Sequence, residues 1–198
     1  MQYIRLIVTL ALCGSAFAWA DVGMITQVNG DVSITTGGNT HAVVPYVKVN
    51  TGDKLTLAQG ARLQLVYFGN GRQEVWKDQG QVEVGSLDSK SANKPDIAQL
   101  PPLVALQLSK MAVTGQQGKA GMVRMRSMGA SEALDRQYGD LKRNSPADDT
   151  TPEVYLLSGL IEIKDYKRAR SILAELDGKA GYKPLVDHFS AIVNAVGK

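Results

Sequence analysis

Residues 60–76 read GARLQLVYFGNGRQEVW and decide the fold expected for the N-terminal part. Leu63, Leu65 and Tyr67 occupy every second position, the period of a half-buried strand. Asn70-Gly71 follows, and this pair is a strong hairpin signal because both residues adopt positive φ at low cost. The stretch therefore predicts a β-hairpin. Trp76 lies just off the alternating line, which favours a packing role over a ligand platform.

The same alternation of short strands and turns extends over residues 21–87. Many short strands with frequent turn signals predict a small sandwich or barrel. Pro45 cannot donate to a sheet, so the strand that contains it is expected to be an edge or a bulge. Strands are predicted at 24–28, 32–35, 43–47, 55–57, 63–67 and 82–84, and a further one around Val75. The turns that separate them are predicted at 29–31, 37–39, 52–53, 70–71 and 80.

The turn and core residues of this part also carry a family resemblance. They are Gly23, Ile25, Val28, Gly30, Val32, Gly52-Asp53, Leu55, Ala61, Leu63, Leu65 and Asn70-Gly71. In this order the stretch resembles the FecR-like domain, the periplasmic module of the ferric-citrate regulator family, over about a third of the chain. The resemblance implies a small β-sandwich or β-helix-like module that makes protein contacts on the periplasmic side of a Gram-negative envelope. We do not expect transmembrane signalling to carry over, because the sequence shows neither a transmembrane helix after its N-terminal targeting segment nor a cytoplasmic anti-sigma segment.

Residues 1–20 have the pattern of a secretory signal peptide. Arg5 is followed by an apolar run at 6–12, and Ala18-Trp19-Ala20 provides small residues before a cleavage site. The run is much shorter than the roughly 20 residues that a membrane span needs. We therefore expect a periplasmic protein. Lipoprotein processing at Cys13 is the alternative, although Leu12 stands where a small residue is expected.

Composition excludes several function classes. Cys13 is the only cysteine, and His41 and His188 are the only histidines, so neither a disulfide nor a cysteine or histidine metal cluster is expected. The net charge of +3 is too small to indicate nucleic-acid binding. No nucleophile elbow and no carboxylate pair stands out, so the sequence predicts no enzyme and no cofactor. His188 beside Asp187 is interpreted as a surface residue.

Helices are expected after a linker. Residues 88–102 are rich in Ser, Lys, Asn and Pro, have no period, and predict an extended surface linker. Thr151-Pro152 predicts a helix start with Thr151 as N-cap, and Ser131 is the corresponding candidate for an earlier helix. The C-terminal domain is placed at 103–198, with helices predicted at 103–111, 132–143 and 185–196. Two more are predicted between them: one from 152 to a break at Lys164-Asp165, and one from that break to Gly178. Residues 122–127 remain open between strand and helix.

Residues 152–177 resemble one tetratricopeptide-like helical hairpin. Small residues would let its two helices approach closely. Because solenoids need about three repeats, an ordinary helical hairpin remains the alternative. The residues that carry the resemblance are Leu157, Gly159, Leu160, Lys164-Asp165-Tyr166, Ala169 and Ala174.

The expected fold is therefore α+β, with a small all-β, sandwich-like FecR-type domain followed by a helical domain. The expected function is a non-catalytic periplasmic interaction module, accessory to an envelope sensor or complex. Its partner would be another envelope protein, bound by strand addition at a sheet edge or by loop contacts. The candidate surface is the hairpin, with Tyr67, Asn70, Gly71, Arg72 and Trp76.

The alternative function is carbohydrate or peptidoglycan binding. It would use Trp76, Tyr67 and Tyr46 as an aromatic platform.

Overall fold

The computed structural model describes residues 21–111 and 129–196. Strands come first in this part of the chain and helices follow, so the α+β class is confirmed. The predicted signal peptide at 1–20 and the undecided segment at 122–127 lie outside the described residues.

Within the described residues, ten strands make two antiparallel sheets. In chain order they are β1 (Asp21–Asn29), β2 (Val32–Thr36), β3 (Asn39–Ala42), β4 (Val47–Asn50), β5 (Lys54–Leu57), β6 (Arg62–Tyr67), β7 (Arg72–Lys77), β8 (Gly80–Val84), β9 (Ser89–Ser91) and β10 (Asp96–Gln99). The first sheet has the order β10-β7-β6-β1-β4, and the second has the order β3-β2-β5-β8-β9.

The two sheets pack on each other through one apolar core. The alternation predicted in β6 is confirmed, because Leu63, Leu65 and Tyr67 all lie in this core. The second sheet contributes Ile34 and Leu55, among others, from its facing side. The N-terminal part is thus a sandwich of two sheets, with one face of the first sheet left over for other contacts.

Two physical constraints favour glycine at position 71 in the turn of the β6–β7 hairpin. Its φ of +70° lies in the region that favours glycine. A Cβ at this position would also lie 2.6 Å from the main-chain oxygen of Leu100. The Leu100 N–H donates to the Gly71 oxygen at 2.8 Å, so the segment after β10 is fastened to the hairpin.

Two segments of the β part differ from the sequence prediction. No strand includes Pro45; β4 begins at Val47, after Tyr46 turns the chain with a φ of +67°. Residues 88–102, expected to be a surface linker, contain β9 and β10, which are the edge strands of the second and first sheets. Strand pairing therefore continues to Gln99, beyond residue 87 where the β-domain was predicted to end.

Five helices follow within the described residues, and the third is central. They are α1 (Pro102–Ser109), α2 (Gly129–Asn144), α3 (Thr151–Glu162), α4 (Tyr166–Leu176) and α5 (Lys183–Val196). Every residue of α3 from Thr151 to Leu160 is buried. The helix is covered by its neighbours α1, α2 and α4 and by the sandwich.

Asp149 and Asp165 cap the N-termini of α3 and α4, respectively. The N-cap of α3 is Thr150, one residue before the predicted Thr151, and its side chain makes no capping bond. Instead, the Asp149 carboxylate accepts the Thr151 N–H at 2.9 Å. The predicted break at Lys164-Asp165 is confirmed, because Lys164 has a φ of +65° and Asp165 accepts the Arg168 N–H at 3.1 Å as the N-cap of α4.

The helices lie on the outer face of the first sheet. Met24 and Val66, paired across β1 and β6, leave the sandwich core and join the helical core. A Cβ at Gly159 of α3 would lie 2.4 Å from the side chain of Leu134 in α2, so this glycine permits those two helices to approach closely. Among the described residues, no helix combines the length and apolar character needed to cross a membrane.

Candidate functional site

The predicted interaction residues come together at the β6–β7 hairpin, but the aromatic ones point inward. Tyr67 is 0% exposed and Trp76 is 2% exposed. Tyr46, the third ring of the carbohydrate hypothesis, is 3% exposed. None of these three rings forms a surface platform in this structure.

A buried carboxylate explains why these residues lie together. Glu74 is 0% exposed, and its Oε1 accepts from Arg72 Nε at 2.6 Å and from the Ser89 N–H at 3.3 Å. Its Oε2 accepts from Trp76 Nε1 at 3.1 Å. Because β7 belongs to the first sheet and Ser89 begins β9 of the second, Glu74 ties the two sheets together. Sequence reasoning missed Glu74, although Arg72, Glu74 and Trp76 share one face of a strand.

The remaining residues of the hairpin also have structural partners. The Tyr67 hydroxyl and Ser89 Oγ lie 2.7 Å apart, and burial raises the pKa of this phenol to about 12. Asn70 Nδ2 donates to the Leu87 oxygen at 2.9 Å, and Asn70 Oδ1 accepts the Arg72 N–H at 3.0 Å. The tip of the hairpin is therefore organised by its own side chains.

A second buried carboxylate, Asp149, joins the helices to the sandwich. Gln64 Nε2 donates to Asp149 Oδ1 at 2.9 Å, and Gln73 Nε2 donates to Asp149 Oδ2 at 3.2 Å. Gln64 Nε2 also reaches Thr151 Oγ1 at 2.9 Å. These glutamines stand on the outer face of the first sheet, so the N-terminus of α3 is docked there by one carboxylate. The negative charge also suits the positive end of the helix dipole.

An exposed pair borders the same junction. Arg62 forms a salt bridge with Asp148, and Gln27 Nε2 donates to the Asp148 main-chain oxygen at 3.0 Å. This contact is made by the residue that directly precedes Asp149 in the chain.

His188 marks a further contact between the sandwich and the helices. Interpreted from sequence as a surface residue, it is half-buried against Tyr46, with ring centroids 4.9 Å apart, and against Phe189 at 5.3 Å. Burial lowers the pKa of His188 to about 4. By contrast, His41 is exposed on β3. The ring contact connects α5 to the turn before β4.

A cleft of about 530 Å³ lies between α2 and the outer face of β6, β7 and β10. Pockets for small ligands commonly measure about 300–1,000 Å³. Its apolar lining includes Val75, Ala98, Leu100 and Leu141, and none of its lining residues is aromatic. Five carboxamide side chains line it: Gln64, Gln73, Gln99, Gln137 and Asn144.

Neither sign of charge dominates this cleft. Lys77 Nζ lies 2.6 Å from Asp96 Oδ2, and Arg62 is paired with Asp148. Charges of both signs thus line the cleft, together with carboxamides that can donate and accept hydrogen bonds. It opens beside β10, an edge strand whose four residues are all exposed.

No group of three or more His, Cys, Asp or Glu side chains is placed as metal ligands within residues 21–111 and 129–196. Compared with models of protein families, with curated proteins and with solved structures, the chain matches none. The resemblances to the FecR-like domain and to a tetratricopeptide-like hairpin therefore stay predictions.

Proposed function

We propose that the protein is a non-catalytic interaction module of the periplasm, accessory to a sensor or complex of the cell envelope, and that it binds another envelope protein. The observation that carries the proposal is the carboxamide-lined cleft that opens along the exposed edge strand β10. A cleft of this chemistry, next to an open sheet edge, suits recognition of a polypeptide.

Two buried carboxylates, Glu74 and Asp149, support a binding role over a catalytic one. Glu74 accepts from Arg72, Ser89 and Trp76, and Asp149 accepts from two glutamines and a main-chain N–H. Both carboxylates are engaged in holding parts of the fold together. A general acid or base would instead need an oxygen within hydrogen-bond reach of a substrate.

The compartment rests on the N-terminal residues. Arg5, the apolar run at 6–12 and Ala18-Trp19-Ala20 support export by a signal peptide. The resemblance of 21–87 to the FecR-like domain supports the same compartment.

Covalent capture in Gram-negative cells tests this function. A tagged chain would be treated with a short lysine cross-linker, purified and compared with a chain that lacks residues 2–20. We expect a discrete product with one envelope protein, present only when residues 2–20 are retained. Identical products from both chains, or products with abundant bystanders alone, would contradict the proposal.

Purified sacculi provide the arm for the glycan alternative. The proposal expects the purified protein to remain in the supernatant when sacculi are sedimented. Retention on sacculi that soluble muropeptides reverse would favour peptidoglycan as the ligand.

A further inference from the structure

The residues of β10 divide into those whose main-chain groups pair with β7 and those whose main-chain groups face outward. Leu100 donates to Gly71 across the strand pair at 2.8 Å, and Gln99 is opposite Arg72 in the register. In an antiparallel pair, successive residues direct their main-chain groups alternately toward and away from the partner strand. Ala98 therefore faces β7, whereas Ile97 and Gln99 direct their N–H and C=O groups outward.

Nothing in the described residues pairs with these outward groups. β10 is an edge strand of the first sheet, with β7 on one side and no other strand of the described residues on the opposite side. Unpaired N–H and C=O groups along an edge are a template for another strand.

We propose that β10 binds an extended segment of the partner protein as an additional strand of the first sheet. This inference rests on the proposed interaction function and assigns it a surface and a ligand class. The main chain of an extended peptide offers donors and acceptors at the spacing that Ile97 and Gln99 require. Pro95 and Pro101 flank the strand, so the added segment pairs over the length of β10, four residues.

The two faces of β10 specify alternating side chains in the added strand. Asp96 and Ala98 lie on the cleft side, beside Val75 and opposite Gln137 of α2. Residues of the peptide on this face meet carboxamides and are expected to be polar. Ile97 lies on the other face and is 56% exposed, so its cross-strand neighbour is expected to be apolar.

The lining of the cleft favours a peptide over a glycan. Sugar rings bind well when they stack on exposed aromatic side chains, and the cleft lining contains none. The edge main chain, in contrast, has a geometry that a sugar does not reproduce.

Selection from a phage-displayed library of random 12-residue peptides tests the inference with purified protein. We expect enriched peptides to contain a four-residue segment in which polar and apolar residues alternate. The key variant is Ile97→Pro, which removes an outward N–H without removing a bond to β7. It is expected to weaken the selected peptides about tenfold or more, measured by titration.

Ala42→Pro is the matched control. Val43 donates to Val32 at 2.9 Å, so Ala42, the preceding residue, has its main-chain groups on the open side of β3. This variant makes the same change on the edge of the second sheet and should leave peptide affinity unchanged. Equal weakening by both variants, or by neither, would overturn the assignment to β10, as would the absence of any enriched peptide.

A second substitution covers the case in which Ile97→Pro fails to fold. Ile97→Lys keeps the main-chain N–H and changes an exposed side chain, and it should shift the apolar position of the selected peptides toward acidic residues. An unchanged preference would count against the inference.

The outcomes separate this inference from the proposed function. A cross-linked envelope partner whose capture is insensitive to Ile97→Pro would leave the function standing and refute the β10 site. Binding to sacculi that survives Ile97→Pro but is lost in Gln137→Ala would assign the cleft to a glycan, again against the peptide.

Discussion

The inside of the sandwich and its junction with the helices each depend on a buried carboxylate. The two carboxylates differ in how far along the chain their hydrogen-bond partners lie. The side-chain partners of Glu74 lie two residues away in the same strand, and its main-chain partner Ser89 lies 15 residues away. The sheet partners of Asp149 lie 85 and 76 residues away. Glu74 thus stabilises a unit that neighbouring strands build among themselves, whereas Asp149 acts only when sheet and helices are both folded.

Removing Glu74 is expected to have the largest effect on stability. Glu74→Leu leaves the Trp76 and Ser89 N–H groups without their acceptor and separates Arg72 from its counter-charge. A buried donor left without its acceptor costs about 1–3 kcal/mol, and this substitution leaves two such donors. Urea unfolding would measure the loss, and Glu74→Gln, which keeps an acceptor oxygen, should lose less. Equal stability of Glu74→Leu and wild type would show that the sheets are held by the apolar core alone.

Removing Asp149 should cost less but should separate the two parts. Asp149→Ala takes the acceptor from Gln73 and Thr151 and one of two acceptors from Gln64. Hydrogen bonds to a charged group are worth about 1.5–3 kcal/mol, so we expect a loss of about 2–3 kcal/mol. We also expect the helices to unfold at lower urea than the sandwich.

Two signals resolve that separation. In a chain that begins at Asp21, Trp76 is the only tryptophan, so its fluorescence reports the sandwich, and circular dichroism at 222 nm reports the helices. Wild type and Glu74→Leu are expected to show coincident transitions. Asp148→Ala, which removes the exposed pair with Arg62, is the matched control and should change stability by less than about 1 kcal/mol. Coincident transitions in Asp149→Ala would contradict the role assigned to its carboxylate.

The sequence predicts the local part of this contrast and not the distant part. Leu63, Leu65 and Tyr67 alternate, and Asn70-Gly71 turns the chain, so the hairpin follows from neighbouring residues. The alternation already placed Tyr67 in the core, which conflicts with its use as an interaction residue.

Pairing that depends on distant contacts has no such signal. Residues 88–102 have no period, yet Ser89 reaches Glu74 and Asp96 reaches Lys77. Asp149 lies in a polar loop that reads as solvent-exposed, because nothing near it in the chain indicates the glutamines of β6 and β7. The cleft is hidden for the same reason, since Gln64 and Gln137 come together only in the folded protein.

A conservative change inside the sandwich should have a smaller effect. Trp76→Phe keeps a large ring in the core but removes the N–H that Glu74 Oε2 accepts. The carboxylate retains Arg72 and Ser89, so we expect a loss of about 1–2 kcal/mol in urea unfolding followed by circular dichroism. Combining Trp76→Phe with Glu74→Leu should cost less than the sum of the two, because they share one hydrogen bond. Additive losses would show that the indole N–H contributes nothing through Glu74.

The smallest expected effect is a pH dependence at the junction. The pKa of His188 falls from an ordinary value near 6.5 to about 4 on folding, because its ring is buried against Tyr46 and Phe189. The unfolded chain therefore binds the proton more readily, and the stability that the neutral ring contributes is lost as pH falls from about 6.5 to about 4. Tyr46 does not titrate in this range, since burial raises its pKa above the ordinary value of a tyrosine.

Thermal unfolding across this range should show a flatter profile of stability against pH for His188→Phe than for wild type. His41→Phe, at an exposed site, should keep the wild-type slope. Parallel profiles for all three proteins would mean that His188 is protonated as easily in the folded protein as in the unfolded chain, and that the junction is not sensitive to acid through this ring.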